Sequence, residues 1–140
     1  MKTSAGLVEF VLPEGWRDST SYVFRSRDEE VEVTLAYSPM GPDATPEDIL
    51  DPIERKLKAT GLGTDIVRGV RNAAGLPCST LVTRAKSPSD VDETVMHVVT
   101  FIPRKGTGAT LTGTSTADHE AALKSGVSKI LESMSLATRP

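Results

Sequence analysis

One stretch of eleven residues, Thr94–Arg104, constrains this chain more than any other. In an extended conformation Val95, His97, Val99 and Phe101 share one side, and Met96, Val98, Thr100 and Ile102 share the other. Both sides are apolar in character. Such a strand needs cover. Either it is central, with a helical layer on each face, or one face packs on helices while the other lines a groove that awaits an apolar partner.

The rest of the chain supplies strands to flank it and two helices to cover it. Leu7–Leu12 alternates, with Val8, Phe10 and Leu12 on one face, and Pro13-Glu14-Gly15 ends it in a turn. Ser21–Ser26 is a short strand carrying Tyr22 and Phe24, and Arg27–Glu30 a charged turn. In Val31–Ser38 the residues Val31, Val33, Leu35 and Tyr37 alternate with Glu32 and Thr34. Thr45 reads as a helix N-cap, with Pro46 at the first helical position and Glu47 and Asp48 in the first turn. Ile49, Ile53 and Leu57 form the buried stripe, and Gly61 the stop. Pro52 predicts a kink, or a helix that begins in earnest near Asp51.

Asp65–Arg71, Leu76–Lys86 and Thr107–Thr114 are further strands, with Lys105-Gly106 as a hairpin turn and Ser87–Asp92 as a polar loop. A last helix begins near Thr116 or Asp118 and buries Leu123, Val127, Ile130, Leu131 and Met134. Gly126 weakens it by about 1 kcal/mol relative to alanine. The order is β-β-β-α-β-β-β-β-α. Runs of strands with hairpin-length connections favour an antiparallel sheet of the α+β class, within a single domain over residues 1–140.

Composition removes several functions. Lys plus Arg number 16 against 19 Asp plus Glu, a net charge of −3, so there is no basic excess for a phosphate backbone and no nucleic-acid partner is expected. No run of 18 apolar residues exists, so direct membrane insertion is not expected. Cys78 is alone and reads as a small buried hydrophobe. His97 and His119 stand far apart, neither in a metal-ligand pattern such as H-E-x-x-H or C-x-x-C. The pairs Gly61-Leu62-Gly63 and Gly106-Thr107-Gly108 lack the Lys-Ser/Thr of a phosphate loop, and Gly-x-Ser-x-Gly is missing. The expectation is a protein without catalytic residues, metal or cofactor. Met1–Gly6 shows no apolar leader and no lipid-anchor cysteine, so a cytoplasmic location is expected.

The segment Phe10-Val11-Leu12-Pro13-Glu14-Gly15-Trp16-Arg17-Asp18, followed by Tyr22-Val23-Phe24, resembles the opening of the DcrB/EagR family. Members begin with an apolar strand, a Leu-Pro-Gly-Trp-like turn, an Asp-Ser-Thr stretch and a second strand. The closing Val127-Ser128-Lys129-Ile130-Leu131-Glu132-Ser133-Met134-Ser135-Leu136 is similar to the ending of that family and of the wider PsbP-like superfamily. The resemblance implies an antiparallel sheet between helices. Its EagR branch implies a cytoplasmic adaptor chaperone of type VI secretion. Such adaptors are homodimers whose apolar concave sheets hold transmembrane segments, the apolar N-terminal helices of secreted Rhs or PAAR-containing effectors. The wider superfamily implies the alternative, a non-enzymatic assembly factor that binds a folded partner through charged loops such as Arg27–Glu30 and Ser87–Asp92.

An adaptor of this kind needs an open apolar sheet face. The expected contact residues are Tyr22, Phe24, Leu81, Met96, Val98, Thr100 and Ile102. Met96 offers an adaptable thioether, and Thr100 a hydroxyl for a helix carbonyl. On this reading Val98→Asp and Ile102→Asp leave the fold intact and abolish binding.

Overall fold

A computed structural model describes residues 2–20, 22–28, 30–60, 64–85 and 93–136. Two antiparallel sheets and two α-helices make an α+β fold. Strand β1 (Lys2–Ala5), β2 (Val8–Val11) and β10 (Ser135–Leu136) form a three-stranded sheet in the order β1-β2-β10. The main sheet has seven strands: β3 (Arg17–Thr20), β4 (Val23–Arg25), β5 (Val31–Pro39), β6 (Thr64–Ala73), β7 (Leu76–Ala85), β8 (Thr94–Arg104) and β9 (Thr107–Thr116). Their order is β3-β4-β5-β9-β8-β7-β6, so β8 stands well inside the sheet and β6 is an edge.

The expected elements are present, with three short strands added. Lys2–Ala5 folds back on β2 through Gly6, whose φ of 69° is the left-handed conformation that glycine adopts without strain. Arg17–Thr20 pairs with β4, and Ser135–Leu136 returns to β2. The first two are halves of short hairpins and the third pairs with a strand remote in sequence; each is too short or too polar to show as an alternating apolar run. The Ser87–Asp92 loop and the Gly61-Leu62-Gly63 pair lie outside the described residues.

Helix α1 (Pro46–Thr60) runs through Pro52, contrary to a start near Asp51. Its beginning is secured locally: the Asp48 carboxylate accepts the Thr45 N–H at 2.8 Å, one half of a capping box. Packing then outweighs the one backbone bond that Pro52 cannot make. Leu50 is fully buried, and Ile53 and Leu57 pack beside it. Helix α2 (Glu120–Ser133) follows a single turn of 3₁₀ helix and buries Leu123, Val127, Ile130 and Leu131.

The helices take one face each. On one side Leu50 of α1 clusters with Leu81 of β7 and Val98 of β8. On the other, α2 and the small sheet enclose Val33, Leu35, Val95, Val99, Phe101 and Leu111. Phe10 of β2 meets Phe24 edge-on at 5.3 Å between ring centres, which locks the small sheet onto the large one. Tyr37 adds a polar tie: its hydroxyl donates to the Ala5 carbonyl and accepts the Leu7 N–H. Ser133, at the end of α2, accepts the Val11 N–H at 2.9 Å.

Gly113 of β9 permits the close seat of α2. A Cβ there would lie 2.6 Å from Leu123 Cδ1 and 3.0 Å from Val127 Cγ2. Gly113→Ala therefore pushes α2 off the sheet. The expected loss is about 1–3 kcal/mol of stability, read as a lower urea midpoint; an unchanged midpoint would contradict this packing.

Candidate functional site

Strand register decides which residues share a face. Leu81 pairs with Val98, Val98 with Thr112, Thr112 with Thr34, and Thr34 with Val23. The neighbouring row runs Val67, Val82, His97, Gly113, Val33 and Phe24. Directly paired residues point to the same side of a sheet, and successive residues to opposite sides. Phe24 thus stands on the face opposite Leu81 and Val98, and the seven expected contact residues do not form one surface.

Nor is either subset open. Phe24 is fully buried in the core beneath the small sheet, and Tyr22 packs against that core with its ring edge-on to Tyr37. Leu81 and Val98 lie beneath α1, Val98 at 2% exposure, and Met96 packs beside them. Thr100 does bond a helix carbonyl, but it is its own chain's: the hydroxyl donates to the Pro46 oxygen at 2.8 Å, at the start of α1. Ile102 is half-buried. The expectation of an open face with Val98 at its centre is corrected. An aspartate at Val98 is an unpaired charge under α1, so loss of fold replaces loss of binding as the expected effect.

A different surface is left uncovered. On the α2 side, α2 lies over Val33, Leu111 and Val99 and stops short of the β6 edge. The shelf between them is a groove of about 420 Å³. Val82, Val99 and Val127 line it, with Thr80 and Ser128, His97, and the cations Arg71 and Lys124. Val67, in register with Val82 and His97, extends this face to the sheet edge and is 62% exposed; Val70, in register with Ser79 and Thr100, is 80% exposed on the opposite side of the same edge strand. These are the two most exposed large hydrophobic residues of the described chain. Sequence reading missed them because Arg68, Gly69 and Arg71 interrupt the apolar pattern of β6. The signal present was Ile66-Val67 and Val70 in a strand too polar to be central.

The edge itself is partly guarded. The ladder slips between Thr64 and Val67, Asp65 has a φ of 52°, and Arg68 is drawn toward α1 by Asp51 at 3.0 Å and Glu54 at 3.2 Å. Bulges and charges of this kind discourage indiscriminate strand pairing. They sit at the N-terminal half of β6, and the groove lies beside its C-terminal half.

Electrostatics within the groove centre on His97. Burial holds its imidazole below the ordinary histidine pKa; Glu120 opposes this shift, while Lys124 and Arg84 add to it. Its Nε2 is buried with no hydrogen-bond partner. Glu120 is engaged elsewhere, gripping Arg84 at 2.6 and 2.8 Å. His119 pairs with Glu30 at 3.1 Å and lines a different cavity from His97, so the two histidines share no site. Cys78 is buried, and that burial raises its thiol pKa. Among the described residues no group of three or more His, Cys, Asp or Glu side chains could hold a metal ion. No described helix is long and apolar enough to cross a membrane.

No family model and no curated protein sequence matches the chain. Solved structures do. LpqN, involved in cell envelope biogenesis of Mycobacterium tuberculosis, superposes with a TM-score of 0.69 at 16% identity, over 94% of this chain and 83% of that one. A protein of Bacteroides thetaiotaomicron VPI-5482 superposes with a TM-score of 0.61 at 8% identity, over 98% of this chain. This chain spans about half the length of that protein, 47%. The chain therefore shares a fold with LpqN.

His97 makes stability depend on pH. Its folded-state pKa is below the unfolded value of about 6.5, so the unfolded chain takes up this proton first. The contribution is complete above pH 6.5 and is lost as pH falls from there toward the folded pKa. Urea midpoints measured from pH 7.5 to 5.5 should fall more steeply for the wild type than for His97→Gln. Parallel slopes would show that His97 is solvated alike in both states.

Proposed function

We propose that this chain is a non-enzymatic binding domain whose groove, between α2 and the β6 edge, holds an apolar segment of a partner protein. The observation that carries the reading is a groove floored by Val82, Val99 and Val127, beside an edge strand that leaves Val67, the register partner of Val82, 62% exposed. Large apolar side chains left at a groove rim mark interaction sites more often than scattered surface hydrophobes do. An edge strand beside the groove also offers backbone groups to a segment lying along it.

The resemblance to the DcrB/EagR family supplies the finer form of this reading. In that form the chain is a cytoplasmic adaptor chaperone that keeps an apolar segment of a type VI secretion effector, of the Rhs or PAAR-containing kind, soluble until loading. The shared fold with LpqN supports a related architecture and leaves the partner to be identified. Two helices cover the sheet on both sides, so the contact surface of such an adaptor moves from a sheet face to the groove.

The alternative, an assembly factor gripping a folded partner through charged loops, draws less support from Arg27–Glu30. Asp28 accepts from the Ser26 hydroxyl at 2.8 Å and from the Glu30 N–H, and Glu30 pairs with His119. Those carboxylates are occupied within the chain.

The test is a sedimentation assay with a synthetic 20-residue Leu/Ala peptide, a length of about one membrane span, which aggregates in water. The protein should hold the peptide in the supernatant, and Val67→Asp, an exposed change that leaves the urea midpoint in place, should release it to the pellet. A peptide that pellets equally with the wild type, or stays soluble equally with Val67→Asp, contradicts the reading.

A further inference from the structure

The groove is not uniformly apolar, and its polar groups are of one sign. The whole chain has more acids than bases, 19 against 16. The groove lining reverses that balance: it contains Arg71, Lys124 and His97, and neither Asp nor Glu. Arg25, Arg68 and Arg84 are each held by a carboxylate of their own chain. Arg71 and Lys124 have no such ion pair among the described residues.

His97 adds a directed hydrogen bond. A neutral imidazole carries one proton on one of two nitrogens. Nε2 is sealed away from solvent with no partner. A buried N–H without an acceptor is the rarer and costlier defect, so the proton belongs on Nδ1. Nδ1 is then a donor at the groove, on a ring that lines it. The charged groups around the ring are Glu120 and Lys124 on α2 and Arg84 on β7. Glu120 accepts from Arg84, and among the described residues none of these groups is hydrogen-bonded to Nδ1.

We infer that the groove selects a segment that carries a carboxylate, an Asp or Glu side chain, among its apolar residues. The apolar part rests on Val82, Val99 and Val127. The carboxylate accepts from His97 Nδ1–H and is neutralised by Lys124 and Arg71. This inference rests on the groove being the partner-binding site and specifies the chemistry of what enters it.

Two peptides separate the inference from the reading beneath it: the same Leu/Ala 20-mer with one central Glu, and its Gln counterpart, each titrated into the full chain at pH 7.5 and low salt. The Glu peptide should bind about tenfold more tightly, the scale of one well-placed charge-assisted contact. Lys124→Gln, an exposed change on α2, should remove most of the difference between the two peptides; Arg71→Gln is the second such variant. The His97 ring resonance, followed by NMR against pH, should titrate at higher pH with the Glu peptide bound and not with the Gln peptide. Equal binding of the two peptides overturns the inference and leaves the groove as a purely apolar site. Binding of neither overturns the groove reading and the inference with it.

Discussion

A strand that is apolar on both faces can persist in water only if something covers each side, and β8 is such a strand. Val98 needs α1, whose Leu50, Ile53 and Leu57 cover its face; Val99 and Phe101 need α2 and the small sheet. The two covers are built differently. The first is one helix seated through Leu50, Ile53 and Leu57, and clamped at its start where Thr100 donates to the Pro46 carbonyl. The second is a helix and a three-stranded sheet that share Phe10, Phe24, Ile130 and Leu131. Burial of this kind contributes about 1.5–3 kcal/mol per large side chain, so neither cover can be lifted to admit a partner without losing much of the fold.

On the reading proposed above, that constraint sends binding to the periphery. With both faces occupied, what remains is where a cover ends before the sheet does. On the α2 side this happens between α2 and β6, and apolar, hydroxyl and cationic side chains meet there around one half-buried histidine. On that same reading a groove of this composition serves recognition, and its cations lie where a bound carboxylate would be drawn in from water.

The fold was legible in the sequence wherever burial was one-sided or two-sided over a long run. Val31–Leu35 alternates because one face of β5 is core. Thr94–Arg104 does not alternate because β8 is covered twice. The short strands Lys2–Ala5 and Arg17–Thr20 carry too few apolar residues to alternate, and they are fixed by hairpin pairing with β2 and β4. Face assignment failed for a related reason. Tyr22 and Phe24 were grouped with Met96 and Val98 by chemical type, whereas the side on which a residue lies is set by strand register, and register depends on turns and bulges such as the one between Asp18 and Thr20. The groove was the least legible part. Arg71, Val82 and Lys124 come from an edge strand, an inner strand and a helix, and only the stopping point of α2 brings them to one place.

Hydrogen–deuterium exchange of the backbone amides tests the central claim most directly, that both faces of β8 are sealed and the β6 edge is the open boundary. The amides of β8 and β9, paired on both sides and covered on both faces, should exchange only through global unfolding. Those of β6 that do not bond β7 should exchange orders of magnitude faster. Uniform slow exchange across β6, as in an interior strand, would contradict an open edge, and fast exchange in β8 would contradict the double cover on which the account depends.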